Sequence, residues 1–337
     1  MAGAAGQRLA PDNPRERLYA GPNDRGGAAN LGNARHHQPR IVARALAGLL
    51  YAMAGSGAAW ATEMRYVYDA PESASDTRYA YQWKILETAL EKTRDEYGPY
   101  WLTPSKAMSE RRQAYELVHG TGKLTVMYLS TTPEFERTLI PVRIPVDRNL
   151  GGYGVFLIRK QDAGRFGAIR TLNELRQFSY GLGLDWIDVG ILRASGFRVV
   201  TGSTYEGLFE MLENKRFDVF LRGAVEVLDE YEARSRMLPD LEIEPSLILY
   251  YPLPMYFWFH DSADGRQLAA RAEAGMRKMI ADGSYDRIFA EYQDEKIRRL
   301  NLRGRRILRI ENPNLGKETP FADRRLWFDP QTYRPVH

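Results

Sequence analysis

The chain has 337 residues, 44% hydrophobic, 27% charged and 12% aromatic, which is enough apolar material for large cores and excludes disorder along the whole length. Cysteine is absent and the five histidines are scattered at positions 36, 37, 119, 260 and 337, so disulfides, thiolate nucleophiles and cysteine zinc sites are excluded and a histidine metal cage is disfavoured. The net charge of +4 conceals a division: residues 1–61 carry +4, residues 62–295 carry −7 and residues 296–337 carry +7, and a basic tail on an acidic body is not the footprint of a nucleic-acid-binding domain.

Residues 1–39 are rich in Gly, Ala, Pro, Asn and Arg, a composition that cannot bury enough surface to offset chain entropy, and are expected to form a disordered leader. Residues 40–61 then run from Arg40-Ile41-Val42-Ala43-Arg44 through the apolar stretch Ala45 to Ala54 to Ala59-Trp60-Ala61. A positive start, a short apolar run and an Ala-x-Ala site, in that order, predict a secretory signal peptide and a periplasmic location. The run is too short and glycine-interrupted for a comfortable membrane span of about 20 apolar residues. An uncleaved anchor is the alternative, and a misassigned start codon would account for the long leader.

Downstream, short β-rich runs alternate with helical patterns. Arg65 to Tyr68 reads as a strand; Tyr79, Trp83, Leu86 and Leu90 recur on one helical face. Tyr100 to Leu102 is a second strand, Pro104 to Leu117 a second helix, Lys123 to Leu129 a third strand. Extended stretches at 139–142 and 154–158 follow. A second series then places strands at 178–181, 197–200 and 217–221, with helices at 186–194, from Tyr205 to Leu212, and at 224–233. Two apolar stretches, 247–251 and 255–259, fit a return from one sheet to another, and two helices, 265–280 and 285–299, close the body. From Glu311 onward the prolines predict loop. Such alternation predicts an α/β protein with mainly parallel sheets covered by helices.

Three short segments carry a family resemblance. Thr131-Thr132-Pro133-Glu134-Phe135-Glu136-Arg137 follows the third strand, Gly154 to Lys160 fits a strand crossing between lobes, and Ala281-Asp282-Gly283-Ser284-Tyr285-Asp286-Arg287-Ile288 fits a closing helix. With the order of elements, residues 64–300 resemble the family-3 extracytoplasmic solute-binding proteins of the type II periplasmic-binding fold, the polar-amino-acid transporter group. The resemblance implies two α/β lobes joined by a hinge of crossing strands, with lobe one at 64–157 plus 252–337 and lobe two at 158–251. It also implies a small-molecule ligand held between the lobes for delivery to a membrane transporter or a sensor.

The resemblance suggests site residues. Arg137, with Thr132 in the same segment, matches the family arginine that holds a ligand carboxylate, an office that suits a planar guanidinium; Arg143 and Arg148 are alternatives. The turn Gly181-Leu182-Gly183-Leu184-Asp185-Trp186 offers backbone amides at Gly183 and a helix start, with Asp185 or Asp188 as a cap and Trp186 as a stacking wall or packing. Where amino-acid binders of the family place an Asp for the α-ammonium, this chain has Arg222-Gly223-Ala224, which would attract an anion; Glu226, one turn later, could restore the acidic partner. Tyr68 and Tyr153 are candidate aromatic walls. Gly120-Thr121-Gly122-Lys123 lacks the spacing of a phosphate loop and reads as a turn, and Arg303-Gly304-Arg305-Arg306 reads as a solvated basic face.

The expectation is therefore a non-catalytic, monomeric periplasmic binder of a small polar, anionic solute, without cofactor, metal or nucleic acid. Two alternatives remain open: an enzyme on the same fold, dehydratase-like, using groups such as Glu226, Asp185 or His119, and a degenerate fold serving as a partner-binding scaffold.

Overall fold

The computed structural model describes residues 63–71 and 79–334, all within the compact unit that runs from residue 59 to residue 337. The leader and signal segment expected at 1–39 and 40–61 lie outside the described residues.

The chain starts with β1 (Met64–Tyr68), followed by α1 (Ala80–Glu91) and a single turn, α2 (Arg94–Tyr97), before β2 (Tyr100–Pro104). β2 lies parallel to β1, Met64 opposite Tyr100. Helix α3 (Glu110–Val118) begins later than the pattern suggested, because Pro104 ends β2 and Ser109 caps the helix by accepting from the Arg112 N–H. Next come β3 (Met127–Ser130), α4 (Pro133–Thr138) and β4 (Leu139–Val142). Thr125 links β1 to the start of β3: its N–H donates to the Val67 carbonyl at 2.9 Å, and its hydroxyl accepts from the Val67 N–H at 2.8 Å.

The chain then crosses to a second layer and runs β5 (Tyr153–Arg159), α5 (Ala163–Gly167), α6 (Leu172–Leu175), β6 (Ser179–Gly183), α7 (Ile187–Ala194), β7 (Arg198–Gly202), α8 (Tyr205–Glu213), β8 (Val219–Gly223), α9 (Val227–Arg234), β9 (Leu241–Ile243) and β10 (Leu247–Tyr250). It returns through β11 (Met255–His260) into α10 (Ala263–Ala281) and α11 (Ser284–Arg299), and ends on β12 (Arg306–Arg309) and irregular chain.

The strands sort into two lobes. In lobe one β11 lies antiparallel between β3 and β4, beside the β1–β2 pair. Lobe two holds the order β12-β10-β5-β8-β6-β7, with β9 pairing β5. Pairing is parallel for β1–β2, β6–β7, β6–β8 and β10–β12, whereas the strands that cross between lobes make the antiparallel pairs. One apolar cluster includes Tyr66, Ile85 and Phe259 of lobe one and continues through Val155 of β5 to Phe220 of β8. A second fills the other face of the lobe-two sheet around Phe156, Phe166 and Leu192. Helices α1 and α10 approach so closely that a Cβ on Gly275 would stand 2.1 Å from the Ala89 carbonyl oxygen, so only glycine permits this crossing.

Two connections join the lobes, residues 143–152 and 251–254, and they are stitched to each other. The Val146 N–H donates to the Met255 carbonyl at 2.9 Å and the Tyr251 N–H to the Gly152 carbonyl at 3.1 Å. Tyr81 and Tyr285 hydroxyls both donate to the Val146 carbonyl, at 2.7 and 3.0 Å.

The tail departs from expectation. Assigned by sequence to lobe one, it supplies β12 to the lobe-two sheet, with Leu247 opposite Arg306. The basic run that read as a solvated face is partly interior: Arg305 is buried, its Nε donating to the Leu300 carbonyl at 2.6 Å and its Nη1 to the carbonyl of Leu247 at 3.3 Å. Backbone carbonyls take up the guanidinium donors, which is why an arginine run can pass through an interior here.

Candidate functional site

Two carboxylates gather around an arginine at the end of β8. Arg222, near the end of β8, is 7% exposed. Its Nε and Nη2 donate to the two Glu230 oxygens at 2.7 and 2.6 Å, and Nη2 stands 2.9 Å from Glu226. The guanidinium lies 4.5 Å over the Trp186 ring, while Tyr205 donates to the same Glu230 carboxylate at 2.7 Å. Burial alone would favour the neutral arginine, but Glu226 and Glu230 outweigh it and hold the group firmly charged. Among the described residues, its hydrogen-bond and ion-pair partners are carboxylates of its own lobe.

Trp186 owes its position to a glycine. A Cβ on Gly183 would lie 2.5 Å from the indole, so the small residue lets the ring fold back onto the strand end, where it stacks on Phe220 with ring centroids 6.2 Å apart and planes 14° apart. Trp186 is also the residue preceding α7, and no side chain caps that helix; the capping expected of Asp185 or Asp188 is not made. Asp185 is exposed, and Asp188 instead accepts a short hydrogen bond from the Tyr251 hydroxyl in the second connection.

Glu226 accepts from the Gly223 N–H at 3.1 Å, and its side chain keeps 32% of its exposure. Burial, with the neighbouring charges of Glu230 and Asp188, raises its pKa although Arg222 opposes the rise. In lobe one, Glu110 at the start of α3 is pushed up to about 7 by burial and by Asp188 and Glu226, against the pull of Arg222. Lobe one also holds a chain of aromatic contacts. Tyr128, whose pKa is raised by burial and then by carboxylates that include Glu226, is 6.0 Å from Phe257; Phe257 stacks with Trp83 at 6.0 Å, and Trp83 lies 4.6 Å from Tyr68. The Trp83 indole Nε1 is buried and has no hydrogen-bond partner among the described residues.

No protein-family model matches the sequence, and no curated protein matches it. Solved structures do. The GluR0 ligand-binding core in complex with L-glutamate superposes with a TM-score of 0.50 at 12% identity, over 69% of this chain and 98% of that one. The fold is the two-lobed periplasmic-binding fold. An ancestral arginine-binding protein bound to arginine gives a TM-score of 0.49 at 15% identity, over 68% of this chain and 97% of the other. A Salmonella typhimurium periplasmic binding protein of high arginine specificity gives 0.49 at 15% identity, over 68% and 99%.

Within this periplasmic-binding fold the expected residues fall into two groups. Arg222, Glu226, Trp186, Gly183 and Asp185 gather at the lobe-two wall, and Tyr68 stands with Trp83 on lobe one. Arg137 does not join them: it is exposed on α4 and makes no hydrogen bond or ion pair among the described residues. The alternatives are occupied elsewhere, Arg143 by Glu136 at 2.6 and 3.0 Å and Arg148 by Asp286 at 2.7 Å. Thr132 caps α4, accepting from the Phe135 N–H at 3.1 Å. Tyr153 is not a wall; it is buried between the lobes, donates to the Phe328 carbonyl at 2.8 Å and packs on Tyr250 and Phe328. His119 ends α3, nine residues from Glu110, about 13 Å along a helix axis, and stacks on Tyr115. Among the described residues, no three metal-type side chains are grouped to hold an ion.

Sequence reasoning missed Glu110, Asp188 as a partner of Tyr251, and the lobe-one shelf of Tyr128 and Trp83. The available signal was the helical face Tyr79–Trp83–Leu86, read as core.

Proposed function

We propose that this chain binds a small solute carrying a positive charge, an ammonium or guanidinium, between its two lobes, and that it does so without chemistry. One observation carries the reading: the Arg222 guanidinium is already paired with two carboxylates, Glu226 and Glu230. The anionic ligand expected from Arg222 thus meets a cation already neutralised, with further carboxyl groups at Asp185, Asp188 and Glu110 and a part-exposed Glu226 around it. An incoming cation would satisfy those groups, whereas an anion would have to displace Glu226 and would be repelled by the rest. The aromatic faces of Tyr128, Trp83 and Tyr68 favour the same charge, since ring quadrupoles attract cations, and the unpartnered Trp83 Nε1–H is suited to an acceptor atom elsewhere on the solute.

In this reading the buried carboxyl groups serve recognition. Delivery to a membrane transporter or a sensor, and export through the signal segment at 40–61, belong to the same proposal and rest on sequence pattern and fold. A thermal-shift panel of small amines, guanidines, amino acids and carboxylates tests it, because a ligand that binds only the folded state raises the melting temperature. Stabilisers should be confined to solutes with a cationic group, and Glu226→Gln should weaken their binding roughly 10- to 100-fold, the scale of one charge-assisted hydrogen bond. Stabilisation by carboxylates that lack a cationic group would overturn the proposal.

A further inference from the structure

We propose that residues 301–334 form a strap that fixes the angle between the two lobes, so that this protein binds as a nearly rigid body instead of as a freely hinged clamshell. A two-lobed binding protein opens by torsion in the segments that connect its lobes. Here a third covalent connection leaves α11, which belongs to lobe one, and enters the lobe-two sheet.

Its first anchorage is the sheet itself. Beyond the β10–β12 pairing, the Arg306 N–H donates to the Ser246 carbonyl at 2.7 Å and the Ile310 N–H to the Tyr250 carbonyl at 2.9 Å. Arg305 joins the lobes directly, because one guanidinium donates both to the Leu300 carbonyl at the end of α11 and to the carbonyls of Glu244 and Leu247 in lobe two.

The strap then turns back. Asn312 Nδ2 donates to the Pro252 carbonyl at 2.8 Å, inside the second connection. Phe328, 3% exposed, is set among Tyr153 of β5, Phe289 of α11 and Tyr333, with ring centroids 5.4, 6.0 and 5.1 Å away. Its N–H donates to the Arg148 carbonyl of the first connection at 2.7 Å. Tyr333 closes the loop, donating to Asp294 of α11 at 2.5 Å. Helix α11 reinforces the arrangement, since Lys296 donates to the Val225 carbonyl at 2.8 Å and pairs with Asp229 of α9 at 2.5 Å. Opening by torsion in the two connections would therefore require peeling β12 from β10 or withdrawing Phe328 from its aromatic setting, and both connections are themselves held by the strap.

This inference does not rest on the ligand reading, and its test needs no ligand. The chain has no cysteine, so spin labels on Lys84→Cys in lobe one and Arg193→Cys in lobe two, both exposed positions, report a single inter-lobe distance by pulsed electron paramagnetic resonance. The full-length protein should give one narrow distribution. Arg305→Ala combined with Phe328→Ala should widen it, roughly twofold or more if opening is released, and Tyr333→Phe alone should widen it less. Should the double variant fail to fold, the narrow distribution of the full-length chain and the response to Tyr333→Phe still decide. A broad or two-peaked distribution in the full-length protein, or a folded double variant as narrow as its parent, would overturn the proposal.

Discussion

Arg271 of lobe one and Arg222 of lobe two are both buried, and the two could hardly be surrounded more differently. Arg271 of α10 is wholly buried in lobe one and donates to neutral oxygens: the Leu90 carbonyl at 3.1 Å, the Gly98 carbonyl at 2.8 Å and the Thr93 hydroxyl at 3.2 Å. Burial is the largest influence on it, and its pKa is lowered. Arg222 in lobe two is bound by two carboxylates, and its pKa is raised. Arg271 ties the end of α1 to the turn after α2 through neutral acceptors; Arg222, at the end of β8, is held by carboxylates against the Trp186 ring. A buried cation is thus no sign of an anion site until its own partners are counted.

The largest expected effect separates the two arginines. Arg222→Met strands Glu226 and Glu230 in the interior and should cost about 3–5 kcal/mol of stability, the usual penalty for breaking a buried ion pair from one side. Arg271→Met leaves only carbonyl and hydroxyl acceptors unmatched and should cost about 1–3 kcal/mol, with the ligand response unchanged. Denaturant unfolding of both variants checks the order; an Arg271 variant as damaging as the Arg222 one would erase the contrast.

A smaller effect concerns Glu110. Its folded-state pKa of about 7 lies above the ordinary carboxylate range, so the folded chain binds the proton more tightly than the unfolded chain does. Its contribution favours folding below the ordinary pKa and is lost as pH rises toward and through about 7. Glu110→Gln should therefore match the parent more closely at pH 5 and exceed it in melting temperature at pH 8. A difference between the two proteins that does not change with pH would show that Glu110 is not held against the acidic wall of lobe two.

The alternation of strands and helices was legible from periodicity because each strand is short and its neighbours are local. Tail strand β12 was not, because Arg303, Arg305 and Arg306 read as solvent-facing charge and nothing local reveals that backbone carbonyls take up the Arg305 guanidinium. Arg222 and Glu226 could be singled out from their place in the chain, yet the sign of the site depended on Glu230, which approaches only after the turn into α9. Glu110 lies in the other lobe, 78 residues from Asp188 and 116 from Glu226 in sequence, and only the folded chain lets their charges act on it. Arg137 illustrates the converse: its segment resembles the family motif, while the geometry leaves it exposed on α4.

The charge sign of the proposed binding site is tested most directly by calorimetric titration with an α-amino acid that stabilises the protein and with the α-hydroxy acid of identical side chain, which exchanges the ammonium for a hydroxyl and alters little else. An acidic site should bind the amino acid at least about tenfold more tightly, the equivalent of about 1.4 kcal/mol. Equal affinities, or a preference for the hydroxy acid, would contradict the account.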